Sequence, residues 1–309
     1  MAAQITQHIL MVRPAAFSFN PETAGSNAFQ TNSRTMTAEE IKFRAIEEFD
    51  GFVARLRAKG INILVCADSD QPAKPDAVFP NNWVTFHDDG TVVTYPMCAP
   101  VRRLERQESV LRQVEQYFHI KKRVHLETAE SENKFLEGTG SLVIDRANKI
   151  VYACLSVRTD TKILEKFAQL FDYQIISFLA TDEKEQEIYH TNVMMALGET
   201  FVIVCLETVK DLAEREKLLA AFKKTDKEVI AISLDQMKFF AGNMLQVAGD
   251  TGATYLVMSE RAFNSLSPEQ IERIDEHTNF LYAPLSTIET YGGGSARCMM
   301  AEIFLEEKI

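Results

Sequence analysis

Clustered basic charge, long apolar runs and closely spaced cysteines are all missing from this sequence. Lys and Arg number 33 against 44 Asp and Glu, a formal net charge of −11. A nucleic-acid backbone is held by clustered cations, so this balance argues against nucleic acid as a partner. The one short basic run, Lys121-Lys122-Arg123, reads as the solvated end of an element. No apolar stretch approaches the ~20 residues that a bilayer span needs. Met1 to Val12 has no basic segment followed by a long apolar run, so no signal peptide is expected. There is no His-x-x-x-His or Cys-x-x-Cys pair, which argues against a structural metal. Gly138-Thr139-Gly140 and Gly292-Gly293-Gly294 lack the Gly-Lys-Ser/Thr of a phosphate loop and the spacing of a dinucleotide fingerprint. Five scattered cysteines, an odd number, predict free thiols in a reducing cytoplasm.

What is present is more pointed. Cys66, Cys154 and Cys205 lie inside strand-like runs, where a free cysteine acts as a small buried hydrophobe. Cys98 is ambiguous. Cys298 differs, because it follows Gly292-Gly293-Gly294-Ser295-Ala296-Arg297 and precedes Met299-Met300. Glycines let backbone pass close to a bound molecule, and an adjacent cation favours the thiolate. Cys298 is the candidate nucleophile.

The chain alternates in a way that suggests a repeat. Thr37 to Lys59 is predicted helical, with a Thr37/Glu40 capping box and Gly60 as stop. Ile61 to Cys66 reads as a buried strand, Trp83 to Phe86 with Val92 to Tyr95 as a hairpin, and Arg102 to Phe118 as a helix. Hairpins follow at Ser141–Ile144/Ile150–Leu155, Val193–Leu197/Phe201–Leu206 and Met244–Val247/Thr254–Met258. Helices fit between them at 160–171, 210–223 and 261–277, the last broken near Pro268. Aligning first-strand starts puts Asn82, Gly140, Asn192, Asn243 and Arg297 in register, with successive separations of 58, 52, 51 and 54 residues. Such a period signals stacked units that must be capped or closed. The expectation is one domain over 1–309, a five-bladed α/β propeller of ββαβ-type units; the competing reading is two α/β domains with chance spacing.

If each unit presents its first-strand start at one end of the ring, distant residues meet there. They include Asn81 and Asn82, Glu137, His190 and Asn192, and Arg297 and Cys298. A cysteine, a histidine and a carboxylate form the constellation for nucleophilic catalysis, in which a base serves the thiol or leaving group and a third group orients the base. Taken singly, His190 and Glu137 read as structural residues; in register with Cys298 they support one another.

The residues also carry a resemblance. Gly293-Gly294-Ser295-Ala296-Arg297-Cys298-Met299 is similar to the nucleophile segment of arginine deiminases. Leu136-Glu137-Gly138-Thr139-Gly140 resembles a Glu-Gly-Gly-Asp motif, with Gly140 in place of the acid. Leu155-Ser156-Val157-Arg158-Thr159 resembles the Ser-x-Arg-Thr motif. Pro75-Asp76-Ala77-Val78-Phe79-Pro80-Asn81-Asn82 resembles the Pro-Asp-x-Val-Phe-x-Glu-Asp segment of dimethylarginine enzymes, and Met11-Val12-Arg13-Pro14 is similar to the amidinotransferase opening. Together they resemble the guanidine-modifying, or pentein, superfamily: arginine deiminases, dimethylarginine dimethylaminohydrolases and amidinotransferases. The resemblance implies a five-fold ring, catalysis by Cys298, His190 and Glu137, and substrate contacts from Asp76, Phe79, Asn81, Asn82 and Asn192. Arg158 would hold the substrate α-carboxylate, with Arg13 and Arg297 as further candidates.

The departures bear on the substrate. Arginine deiminases grip the guanidinium with two aspartates; here Asn82 stands at the first position and Asn192 at the second. Two carboxylates suit a forked cation, whereas amides both donate and accept and suit a neutral ureido group. A buried guanidinium would lose two countercharges. The expected reaction is hydrolysis of citrulline to ornithine, ammonia and carbon dioxide through a Cys298 adduct, with a small amino acid as partner and with no cofactor and no metal. An arginine deiminase, a methylarginine hydrolase, an amidinotransferase and a non-catalytic ribosome-binding factor of the same fold are the alternatives. Oligomeric state is not legible.

Overall fold

The computed structural model describes residues 3–33 and 36–308; the remaining five residues of the 1–309 span lie outside the described residues. The secondary structure resolves into five three-stranded sheets, each with a middle strand paired antiparallel on one side and parallel on the other. Unit one holds Val84–Phe86, Thr91–Thr94 and Lys122–His125; unit two holds Val143–Asp145, Ile150–Cys154 and Gln174–Phe178. Unit three holds Met195–Leu197, Phe201–Val204 and Glu228–Ala231; unit four holds Leu245–Ala248, Thr254–Ser259 and Asn279–Ala283. A short turn makes each antiparallel hairpin, and a helix-bearing crossover brings the third strand back parallel, as parallel pairing requires.

Unit five is assembled from both ends of the chain. Ala301–Glu302 pairs antiparallel with His8–Arg13, with Ile9 opposite Glu302 and Leu10 opposite Ala301. His8–Arg13 then pairs in parallel with Asn62–Ala67. The intervening helix, Ala38–Arg57, opens with the Thr37/Glu40 capping box and buries Ile41, Ala45, Phe49, Phe52, Val53 and Leu56. Each large apolar side chain so buried contributes roughly 1.5–3 kcal/mol.

Two sequence expectations need correction. The register residues do not begin strands. They sit on or just before single helical turns that precede the strands: Pro80–Asn82, Gly138–Ser141, Thr191–Met194 and Ala296–Met299, with Asn243 closing the turn after Phe240. A glycine-rich or asparagine-rich tetrapeptide has no length to declare itself helical, and its backbone bonds close within a single turn, such as Gly140 N–H to Glu137 O and Val193 N–H to His190 O. The second correction is the helix predicted over 102–118, which is two pieces, Pro100–Arg103 and Glu108–Tyr117. Pro100 starts the first, and Arg102 turns inward at its end, 3 % exposed. The break predicted near Pro268 is present, between Glu260–Ser265 and Pro268–Asp275.

The single turns pack on each other. The 80–82 turn lies against both 138–141 and 296–299, and 138–141 lies against 191–194. That contact brings residues more than two hundred positions apart to one place.

Candidate active site

A narrow, tight cavity forms at this convergence. Asp76, Phe79 and Asn82 line it from unit one's leading segment, Arg102 from the following turn, Arg158 and His190 from units two and three, and Gly292–Gly294 with Cys298 from unit five. Thr23 and Asn27 cover it. A larger cleft beside Phe240 and Arg261 is lined by no cysteine or histidine.

The triple glycine has a steric cause. A Cβ at Gly292 or Gly294 would come within 2.8–2.9 Å of the Phe79 ring, and Gly293 has φ +63° in the left-handed region. The loop is tied down by Asn27 Nδ2, which donates to the Gly292 and Gly293 carbonyls, and by Tyr189 Oη, which donates to Gly293 O at 2.8 Å.

Glu137 is fully buried, and its Oε2 lies 2.8 Å from His190 Nε2. Its other oxygen accepts from the Cys98 backbone N–H at 2.9 Å. Cys98 thus contributes backbone, not thiol; burial, with Glu137 nearby, pushes its thiol up. Burial acts against the Glu137 carboxylate too, but Arg158 at 3.4 Å, the His190 hydrogen bond and Arg102 at 3.8 Å outweigh it and hold the group below the usual carboxylate range. Burial also holds the His190 imidazole down, to about 4, against the pull of Glu137. His190 is therefore neutral near pH 7. A carboxylate at Nε2 assigns the ring proton there and leaves Nδ1 as the basic nitrogen.

Both asparagines are buried, each with one amide end engaged and the other without a partner. Asn82 Oδ1 accepts from Arg102 Nη1 at 3.0 Å, while its Nδ2 has no partner. Asn192 does not line the cavity; its Nδ2 lies 3.6 Å from Cys298 Sγ, while its Oδ1 has no partner. Asp76 accepts from Asn20 Nδ2 at 2.7 Å through Oδ2 and leaves Oδ1 unpartnered; burial raises its carboxyl despite Arg102. Gly140 explains part of this arrangement. A Cβ there would meet Asn82 Nδ2 and come within 2.7 Å of His190 Nδ1 and Cε1.

The structure does not bring every expected residue to the cavity. Arg13 pairs with Asp50 through Nε and Nη2, both at 2.7 Å, on a half-exposed face. Arg297 turns its guanidinium to Met300 O at 2.8 Å and Glu302 at 2.7 Å, so it is not the cation at the thiol. Glu302 on the paired strand draws it away from the cavity. Asn81 donates to Thr139 Oγ1 at 3.2 Å and braces the neighbouring turn instead of lining the cavity. Arg158 does line it, donating to Ser26 Oγ at 2.6 Å and stacked 4.8 Å from the Tyr189 ring centroid, with its Nε unpartnered.

Sequence reasoning missed Arg102, Glu105, Tyr189 and Asn243. Arg102 forms a bidentate pair with Glu105, both contacts 2.9 Å and both side chains buried. At i,i+3 spacing the pair reads as a solvated helix contact, so nothing in sequence signals its burial. Asn243 was in register with the other four, and that was its signal. Among the described residues, no group of three His, Cys, Asp or Glu side chains is placed to hold a metal, and no helix is long and apolar enough to cross a membrane.

Five three-stranded sheets, with Cys298, His190 and Glu137 on or just before the turns that precede their strands, fit the class that the comparisons show: the guanidine-modifying, or pentein, superfamily. Within it, the model of the eukaryotic N,N-dimethylarginine dimethylhydrolase family matches residues 13–305, and the chain belongs to that family. Among solved structures it is similar to ArgZ, an arginine dihydrolase from the ornithine–ammonia cycle in cyanobacteria, with TM-score 0.73 and 18% identity over 98% of this chain. The chain spans 41% of that protein. It matches 97% of the separate ArgZ N-terminal domain, solved covalently bound to a reaction intermediate, over 96% of its own length (TM-score 0.71, 18% identity). A dimethylarginine dimethylaminohydrolase, solved as an S-methyl-L-thiocitrulline adduct of a histidine-to-glycine variant, is similar at TM-score 0.66 and 14% identity, over 97% of this chain and 100% of that one. No curated protein sequence matches the chain.

Proposed function

We propose that this chain hydrolyses the terminal C–N bond of an arginine-related amino acid, and that its substrate is citrulline. The observation that carries the choice is the Asn82 amide. Arg102 engages its oxygen, so the N–H₂ end is the one left for a ligand. An N–H donor suits a ureido oxygen and opposes a guanidinium, which has only donors. Asp76 Oδ1 supplies an unpartnered acceptor in the cavity for the ureido N–H groups.

In the proposed reaction Cys298 Sγ attacks the ureido carbon. His190, oriented by Glu137, takes the thiol proton and delivers it to the departing δ-nitrogen. The bond from that nitrogen to the ureido carbon breaks, releasing ornithine and leaving an S-carbamoyl cysteine. His190 then draws a proton from water, whose oxygen attacks the same carbon. Carbamate leaves, the thiol is restored, and carbamate decomposes to ammonia and carbon dioxide. Arg158 balances the substrate α-carboxylate.

A second reading is favoured by Asp76, which retains one carboxylate in the cavity, and by the likeness to an arginine dihydrolase: arginine as substrate, processed at the same cysteine. Incubation with citrulline, arginine and dimethylarginine separately, with products identified by mass, separates the readings. Ornithine from citrulline, lost in Cys298→Ala, is expected. Turnover of arginine to citrulline, with citrulline itself inert, would overturn the ureido assignment.

We further read the five units as one domain over 1–309, closed into a propeller. Supporting this, unit five's Ala301–Glu302 packs on unit one's Val84–Phe86, and unit four's Thr254–Ser259 packs on the turn that carries Cys298. A cytoplasmic location accords with five free thiols.

A further inference from the structure

Arg297 was the cation expected to hold Cys298 as thiolate, and its guanidinium is bound to Met300 O and Glu302 instead. The group that does reach the sulfur is Asn243. Its side chain is 1 % exposed, and its amide orientation is set by two backbone groups. Oδ1 accepts from the Arg297 N–H at 3.1 Å, and Nδ2 donates to Asn192 O at 2.9 Å. A flipped amide would set N–H₂ against N–H and oxygen against oxygen, so only one orientation satisfies both. The second Nδ2 hydrogen remains, and Nδ2 lies 3.2 Å from Cys298 Sγ. Asn192 Nδ2 approaches the same sulfur at 3.6 Å.

We propose that Asn243 is a catalytic residue that holds the Cys298 sulfur in its anionic, attacking form by donating an N–H to it, with Asn192 as the second donor. The assignment rests on Cys298 being the nucleophile of the reaction above, but not on which substrate it attacks. The thiol can point its hydrogen at Asn243 Oδ1, 3.6 Å away, so the residue meets both protonation states. Only the N–H contact strengthens when sulfur becomes charged, because hydrogen bonds to ions are roughly twice as strong as neutral ones. In a buried site the gain is larger than in water. Asn243 also fixes the turn through Arg297 N, so two roles must be told apart. A purely structural role would lower turnover without moving the pH response of the sulfur.

The test is the rate of Cys298 alkylation by iodoacetamide as a function of pH, without substrate, with Cys298→Ala as the blank for the other four thiols. Asn243→Asp keeps the shape and the acceptor for Arg297 N–H, but replaces the donor at sulfur with a negative charge. Its alkylation is expected to be at least about tenfold slower at pH 7, with the rate curve displaced to higher pH by about one unit. Asn243→Ala adds no charge, and its curve is expected to move in the same direction by less. If Asn243→Asp does not fold, Asn243→Ala decides. A wild-type alkylation curve in a folded variant of either kind overturns the proposal. Because no turnover is measured, failure of citrulline as substrate leaves this test intact.

Discussion

At Gly140 a missing atom shapes the chemistry. The sequence has glycine where the resembling motif carries an acid, and the space a side chain would fill is taken by Asn82 Nδ2 and the His190 ring. Gly140→Ala must therefore displace one or both. Because sub-ångström placement of a base governs rate, kcat/KM is expected to fall about 100-fold while the fold persists. Steady-state kinetics beside a thermal melt checks this, and activity within about threefold of wild type would contradict it. The residues legible in sequence were those whose chemistry is unusual where they stand: Cys298 after glycines, His190 and Glu137 in register. Arg102 was missed and Arg297 misjudged for a common reason. Where an arginine's head goes is decided by a carboxylate (Glu105, Glu302) whose position depends on tertiary structure. Arg13 shows the same effect with Asp50 on the surface.

Among the elements, the long helix Ala38–Arg57 and the short hairpin strands were legible, while the helix expected over 102–118 and the single turns were not. Ala38–Arg57 has five turns of apolar periodicity and a capping box, so local signals agree along its length. Gly138–Ser141 and Thr191–Met194 are one turn each, and their neighbours impose their shape. The Gly292–Cys298 loop is held in the same way. Ser295 Oγ donates to the buried Glu289 Oε1 at 2.6 Å, and Arg261 Nη1 donates to Oε2 at 3.2 Å. Ser295→Ala removes one donor from a buried carboxyl that Ser259 and Arg261 also serve, a loss of about 1 kcal/mol. The expected outcome is a lowered unfolding midpoint in urea together with a reduced kcat, because the same bond positions the turn bearing Cys298. An unchanged midpoint would show that Glu289 finds another donor.

For the whole molecule, stability lies between units as much as within them. His87, beside the unit-one hairpin, stacks on Phe171 of the unit-two helix Thr161–Phe171, with centroids 3.9 Å apart, and its Nε2 lies 2.8 Å from Thr85 Oγ1. Burial, with Arg146 and Lys149 adding to it, holds the imidazole well below its usual range. The unfolded chain takes up a proton there as pH falls through about 6.5, and the folded chain does not, so this group's contribution to stability is lost on acidification. Thermal midpoints of wild type should therefore drop more steeply between pH 7 and 5 than those of His87→Gln. Parallel curves would remove His87 as the cause. The five-unit plan was legible because hairpin spacing recurs along the chain; the partner of the first strand was not, because it lies at the opposite end.

That pairing has a consequence for the order of events in the cell. His8–Arg13 and Asn62–Ala67 leave the ribosome early, yet their sheet lacks its third strand until Ala301–Glu302 follows. Cys298 stands three residues before that strand, on the turn that unit one must accept. A nascent chain thus carries Glu137, His190 and the amides of Asn82 and Asn192 long before it carries Cys298. The segment that supplies the sheet's third strand also carries Cys298, so completion of that sheet and of the cavity lining depends on the same stretch of chain.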